Sequence, residues 1–409
     1  MNLSAPRMAR SDRWRQFGAG GIVASNVPPS RYPPSVIHCD VLVAGLGVMG
    51  SAVAHHAARR GLRVVGLDRF TVPHDRGSSH GETRNIRQAI YENPRYVPLL
   101  KRAFDLWRAL EAEAGRPLMR LTGRMMIGRP DGYAISGAIV TARQHQLPIE
   151  VLSAADVAQR YPAFRPDDDM VGVYEQRAGM LFAEECVGAQ LECARRHGAD
   201  LRFDEPLLEW RASGGGVEVR TARHHYGAER LVLAVGGWLP GLMPALPLAI
   251  ERQVLLWFEP REQPEMFAPD RFPIYLCELA PDFTIYGVPF WGDGLKVARH
   301  HGGEPCDIET VRRDVDERDI APVRAALERC LPAAAGRFLR GRTCVYTNTP
   351  DRHFIIDRHP DHDAVLVVSP CSGHGFKYAA AIGEAVAEIV GGGPATHDLS
   401  LFRLDRFEA

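Results

Sequence analysis

The chain has 409 residues, enough for two to three domains' worth of core, with 45% hydrophobic and 24% charged residues, an ordinary globular composition. Its 49 basic and 50 acidic residues leave a net charge of −1, which argues against a broad nucleic-acid or anionic-membrane footprint. The eight cysteines (Cys39, Cys186, Cys193, Cys277, Cys306, Cys330, Cys344 and Cys371) form no C-x-x-C pair and no disulfide framework, so reduced thiols in a cytoplasm are expected, and no structural zinc.

Residues 1–37 are rich in Arg, Ser, Pro and Gly without any period, and contain only a short apolar "GIVAS"; they read as a disordered extension without a secretory leader. The apolar run "VLVA" at 41–44 then reads as a buried parallel strand. Gly45, Gly47 and Gly50 make G-x-G-x-x-G at its end, an alanine-rich helix follows to Gly61, and "LRVVGLD" ends the next strand at Asp68. The glycines allow a tight turn, close backbone approach to a pyrophosphate and helix–strand packing, and the aspartate offers a carboxylate to a ribose hydroxyl. Strand, helix, strand and acid in this order identify a dinucleotide site, without choosing between NAD and FAD.

The stretch "GSSHGETRNIR" reads as a glycine-flanked loop whose Thr83, Arg84 and Arg87 suit a cofactor or an anion, or simply a solvated basic loop. Val97, Leu100, Phe104, Trp107 and Leu110 recur at helical spacing and predict a core-packed helix. Residues 231–250 are uncharged and long enough to span a bilayer, but Pro240, Pro244, Pro247 and three glycines would break a single helix; a buried strand and an irregular crossing are expected. The histidine pairs His224–His225 and His300–His301 lie in no metal-ligand pattern, and no metal is expected. Val365–Val368 predicts a buried strand, Gly373 and Gly375 a turn, and Phe376–Val390 a helix.

Taken together, "GSSHGETRNIR", "YGVPFWGDGLKVARHHGG", "CVYTNTPDRHFIIDRHP", "SGHGFK" and the closing "FRLDRF" resemble the monomeric sarcosine oxidase family of flavoproteins, which includes N-methyltryptophan oxidase and L-pipecolate oxidase. The resemblance covers residues 38 to about 406. It implies FAD, linked through the sulfur of Cys344, which stands in the C-x-Y-T context; without the family, a buried structural cysteine is the favoured reading. It implies that Gly45, Gly47, Gly50, Asp68, Thr83, Arg84, Gly373, Gly375 and Lys377 contact the cofactor. It further implies that Arg87 and Lys377 clamp a substrate carboxylate, that Tyr286, His300, His374 and Tyr346 line the substrate cavity, and that Lys296 sits at the flavin and serves the reaction with O₂, with Arg84 beside them. Cys371 stands where that family has a bulky aromatic, and the Tyr286–Lys296 loop is one residue shorter than in sarcosine oxidase proper.

The fold class implied is mixed α/β. A Rossmann-like FAD-binding domain is expected from 38–115, 178–242 and 344–406, and a substrate domain with a mixed sheet from 116–177 and 243–343. The expected activity is oxidation of an N-methyl or other secondary α-amino acid to an imine, with O₂ reduced to H₂O₂. Sarcosine is the expected substrate, with N-methyl-L-tryptophan and L-pipecolate as alternatives. No nucleic acid, membrane or obligate protein partner is expected. Three rivals stay open: a flavin dehydrogenase feeding a carrier protein, an NAD-dependent dehydrogenase, and a non-catalytic flavin-binding subunit.

Overall fold

The computed structural model describes residues 36–407. The reading of 1–37 as a disordered extension falls, for 1–35, outside the described residues; Val36 and Ile37 open the first strand, Val36–Ala44.

That strand is the centre of the first sheet. Val64–Leu67 and His225–Leu233 flank it in parallel, with Val41 opposite Val64 and Arg230, and Ala44 opposite Leu67 and Leu233. A strand paired on both edges and covered on both faces needs apolar side chains on both, as the unbroken run 41–44 supplies. Val41 and Val43 join the core made with helices Val48–Arg59, Val97–Ala114, Ala183–Arg196 and Ala379–Val390; Leu42 and Ala44 join the opposite one with Leu231, Leu233 and Val365. Asp200–Arg202, at one edge, and His362–Ser369 extend the parallel part, and antiparallel strands lie beyond His225–Leu233. All five residues read from the helical spacing between Val97 and Leu110 are buried, and Gly115, at φ 68°, ends that helix. The expected crossing after 231 is a strand end followed by short turns at Gly236–Trp238 and Leu239–Leu242. Among the described residues no helix is long and apolar enough to cross a membrane.

The second sheet has eight strands in the order Phe338–Asn348, Ala249–Phe258, Leu295–Arg299, Phe283–Gly287, Ile274–Ala280, Arg124–Gly128, Val171–Glu175 and Glu150–Ser153. Ile274–Ala280 and Arg124–Gly128 run parallel, and the other neighbours run antiparallel. Side chains alternate between faces along each strand. Met125, Ile127, Tyr275, Cys277, Ile285 and Val297 therefore pack on one side with helix Glu317–Cys330. Residues out of step with them, among them Arg124, Leu276, Tyr286, Lys296 and Cys344, occupy the side that meets the first sheet's domain.

Two expectations meet a different structure. Thr83–Ile86 is not a loop but a short strand, paired with Gly179–Phe182 in a three-stranded sheet. Four mostly polar residues are too short for a period of two to show in the sequence. The boundary expected at 344 falls inside the strand Phe338–Asn348, which pairs along Ala249–Phe258, so Cys344 is carried by the second sheet.

Candidate active site

One long cavity separates the two sheets. Its nucleotide end is built on the glycine turn. Gly45 has φ +87°, and a Cβ there would lie 2.5 Å from the Ala234 carbonyl oxygen; a Cβ on Gly50 would lie 1.7 Å from the Gly45 carbonyl oxygen. Backbone thus meets backbone on both sides of the turn, and only glycine permits it. Helix Val48–Arg59 starts at Gly47, and its first amide, Val48, donates to Ser79 Oγ at 3.0 Å. Asp68 accepts from the Leu46 amide at 2.6 Å and the Phe70 amide at 2.9 Å while staying on the cavity lining. A helix N-terminus lined by Gly47 and Ser79 beside a strand-end carboxylate is the donor and acceptor set that a pyrophosphate and a ribose require, so these residues fit an adenine dinucleotide. Arg69, whose guanidinium lies 5.7 Å from the Trp238 ring and which pairs with Glu309, also lines this end. Sequence reading missed it, since nothing links Arg69, Trp238 and Glu309 along the chain.

Two cysteines line the middle of the cavity and differ in surroundings. Cys344 is 3% exposed, and the Arg84 guanidinium reaches to 3.7 Å from its sulfur while also donating to the Thr83 and Ser78 carbonyls. Cys371 instead accepts from the Thr347 amide at 3.2 Å, and burial pushes its thiol up. Lys296, 3% exposed, donates to the carbonyls of Gly81 at 2.9 Å and Thr83 at 2.5 Å. Burial, then Arg84, hold its ammonium well below the ordinary lysine value. Its side chain is thus spent on the backbone just ahead of Arg84, and Lys296 is not among the lining residues. Thr83 and Gly50 support the wall without lining it; Gly47, Arg84, Cys344, Gly373, Gly375 and Lys377 all line it.

The other end brings together Arg87, Tyr286, His300, Tyr346, His374 and Lys377 from five separate segments. The His300 ring and the Tyr346 hydroxyl lie 3.3 Å apart, and the Tyr286 ring stands edge-on to His300 at 6.0 Å. Gly373, at φ +78°, lets its loop close on Tyr346; a Cβ there would be 2.6 Å from the Tyr346 ring. His374 stacks on Phe354 at 4.7 Å and donates from Nε2 to the Arg352 carbonyl at 3.0 Å, which leaves Nδ1 as the lone-pair nitrogen. Burial pushes His374 down to about 3 and holds His300 well below its ordinary value, so both rings are neutral bases. Lys377 donates to the His374 carbonyl at 2.5 Å, and burial, then Arg87, depress it.

Arg87 already has a partner, Glu92, at 2.6 Å, and its guanidinium lies 5.0 Å from the Tyr91 ring. Burial alone would raise the Glu92 carboxyl; Arg87 outweighs it and holds Glu92 well below the usual carboxylate range. Neither Glu92 nor Arg124, which also lines this end, was legible as a site residue. Glu92 sits in an ordinary polar run, "YENPR". Arg124 opens the apolar strand "RMMIG", and that break in the pattern was the available signal.

Residues 40–389 match the family model described as FAD dependent oxidoreductase. The monomeric sarcosine oxidase of Streptomyces avermitilis is 43% identical over 376 residues, 90% of this chain and 98% of that protein. The N-methyl-L-tryptophan oxidase of Yersinia pestis is 34% identical over 370 residues, again 90% of this chain and 99% of that one. Among solved structures, NikD, an unusual amino acid oxidase essential for nikkomycin biosynthesis, superposes with a TM-score of 0.80 at 24% identity, covering 90% of this chain and 98% of that one.

Proposed function

Because the chain belongs to the FAD-dependent oxidoreductase family, we propose that it is an oxidase of secondary α-amino acids, taking the substrate to an imine and O₂ to H₂O₂. The observation that carries this reading is the far end of the cavity, where Arg87 and Lys377 face an aromatic and histidine wall of Tyr286, His300, Tyr346 and His374. FAD, when bound, supplies the acceptor for the two electrons and the hydrogen removed from the carbon beside nitrogen. The likeness to the sarcosine and N-methyl-L-tryptophan oxidases favours N-methyl amino acids among the substrates, and sarcosine is the first to test.

The roles of the chain's own groups follow from their chemistry. Arg87 and Lys377 orient the substrate carboxylate through charge-assisted hydrogen bonds. His300 and His374, neutral at physiological pH, and the Tyr346 hydroxyl offer acceptors to the amine N–H, and the cations Arg87 and Lys377 disfavour a charged ammonium, so no separate strong base is required. Gly45, Gly47 and Asp68 hold the nucleotide, and Arg84 poises Cys344 for attachment to the cofactor. Segments 38–115, 178–242 and 349–406 serve as the cofactor domain and 116–177 with 243–348 as the substrate domain, with Cys344 reaching across from the second sheet. Eight free thiols support a reducing, cytoplasmic setting.

The test is anaerobic bleaching of the purified yellow protein by sarcosine, N-methyl-L-tryptophan, L-pipecolate and L-proline in parallel, followed by oxygen uptake with whichever bleaches. Bleaching by a primary amino acid faster than by its N-methyl form would refute the assignment. One observation favours a second reading, a dehydrogenase that passes electrons to a carrier: the Lys296 ammonium is occupied by two carbonyls and off the cavity lining. Bleaching without oxygen uptake would decide for it.

A further inference from the structure

Among the described residues, the lining of the cavity's substrate end carries three cations, Arg87, Arg124 and Lys377, and no carboxylate; the lining carboxylates, Asp68 and Glu309, are at the nucleotide end. Arg87 is compensated by Glu92 behind it, and Lys377 is held by the His374 carbonyl. Arg124 has no such arrangement. It is 2% exposed, its Nε is without a partner, and its guanidinium makes one hydrogen bond among the described residues, a 3.3 Å contact to the Ala89 carbonyl. The carboxylate nearest in the sheet is Glu175, opposite it in register. Glu175 accepts instead from the Gln88 amide at 2.7 Å and the Ala89 amide at 3.1 Å, and forms no ion pair with Arg124 within 4.0 Å. Burial, then Arg87, push Arg124 down to about 9, and the Glu175 and Glu92 carboxylates, neither of them within ion-pair distance, offset this only in part.

A buried guanidinium with no ion-pair partner is costly to hold in a dry interior. Its planar fork of donors is suited to a carboxylate. We propose that Arg124 binds a second acidic group on the substrate, so that the preferred substrates are secondary amino acids with two carboxylates. The α-carboxylate engages Arg87 and Lys377, and the side-chain carboxylate engages Arg124. This rests on the reading of the cavity as a secondary amino-acid site.

The test separates the two. Calorimetry on the holoprotein with acetate and with succinate needs no turnover. Succinate should bind roughly 10- to 150-fold more tightly than acetate, the worth of one charged hydrogen-bonding contact. Arg124→Leu should remove that margin while leaving acetate affinity unchanged, and Arg124→Lys should keep part of it. Ligand-free Arg124→Leu should melt no lower than wild type. In parallel, N-methylaspartate should bleach the cofactor at a higher kcat/KM than sarcosine, and Arg124→Leu should reverse the order. If succinate shows no margin, or if Arg124→Leu melts lower and loses acetate and succinate equally, Arg124 is a counterion to Glu175 and the proposal is overturned even with sarcosine turnover intact. If no secondary amino acid bleaches the cofactor while an Arg124-dependent margin persists, the functional reading fails and the dianion site stands.

Discussion

Arg87 and Glu92 form a buried ion pair at 2.6 Å, five residues apart, at the wall of the substrate cavity. The clamp's first arm is therefore engaged before any substrate arrives. An incoming carboxylate gains Arg87 only by competing with Glu92 or by sharing it.

Substitutions at the two positions should accordingly act with opposite signs. Arg87→Met should weaken binding of a simple carboxylate inhibitor by roughly 10- to 150-fold, the loss of about 1.5–3 kcal/mol. Glu92→Gln should tighten it, by freeing Arg87. The same variant leaves a buried guanidinium unpaired and should cost about 3 kcal/mol of stability. Inhibitor titration and urea unfolding measure the two effects; weakened inhibitor binding in Glu92→Gln would contradict the competition.

Covalent attachment, if it occurs through Cys344, should be lost on a single-atom change. Acid-precipitated wild type should stay yellow, and Cys344→Ser should release its flavin to the supernatant. Cys371→Ser should retain it, because Cys371 lacks the guanidinium that Arg84 brings to 3.7 Å of Cys344. Flavin released by acid from wild type would rule out the linkage.

Lys296 offers a test of oxygen chemistry. The resemblance assigns Lys296 to the reaction with O₂, whereas its hydrogen bonds assign it to the backbone; in the first role an ammonium about 4 Å from developing negative charge would be worth roughly 4 kcal/mol at an effective dielectric near 20. In that role Lys296→Met would slow oxygen uptake by two to three decades, at about 1.36 kcal/mol per decade, and slow anaerobic bleaching much less. Because its two hydrogen bonds fix the Gly81 and Thr83 carbonyls, equal losses in both measurements would assign Lys296 to positioning that segment. Stopped-flow traces of the two half-reactions discriminate the outcomes.

Acid should destabilise the protein through histidines that fold as neutral groups. Burial lowers His374 from 6.5 to about 3 and likewise depresses His56 to about 3 and His80 to about 4. The unfolded chain binds more protons than the folded one between these limits, so stability rises with pH through that window. The effect is absent above about pH 6.5 and grows as pH falls toward 3–4. For His374 alone the loss at pH 5 is about 2 kcal/mol. Urea midpoints of wild type and His374→Gln, measured from pH 7 to 5, should converge as the pH falls; a gap that widens would contradict the assignment.

Local chemistry was legible in the sequence. The apolar run 41–44, the spacing of Gly45, Gly47 and Gly50, and Asp68 at the end of the next strand each act within one βαβ unit, so their order alone defines a nucleotide turn. The spacing from Val97 to Leu110 defined a buried helix face for the same reason. The cysteine, lysine and histidine positions were legible only through resemblance, because a lone Cys344 or Lys296 carries no pattern of its own. Tertiary structure decided the rest. Strand alternation in the second sheet set Arg124, Leu276, Tyr286 and Cys344 on one face, although they are up to 220 residues apart. It gave Arg87 a carboxylate partner, turned Lys296 to the backbone, and left Arg124 unpaired in the cavity. Charge compensation in a dry interior depends on distances of a few ångströms between segments remote in sequence, and no spacing along the chain encodes those distances.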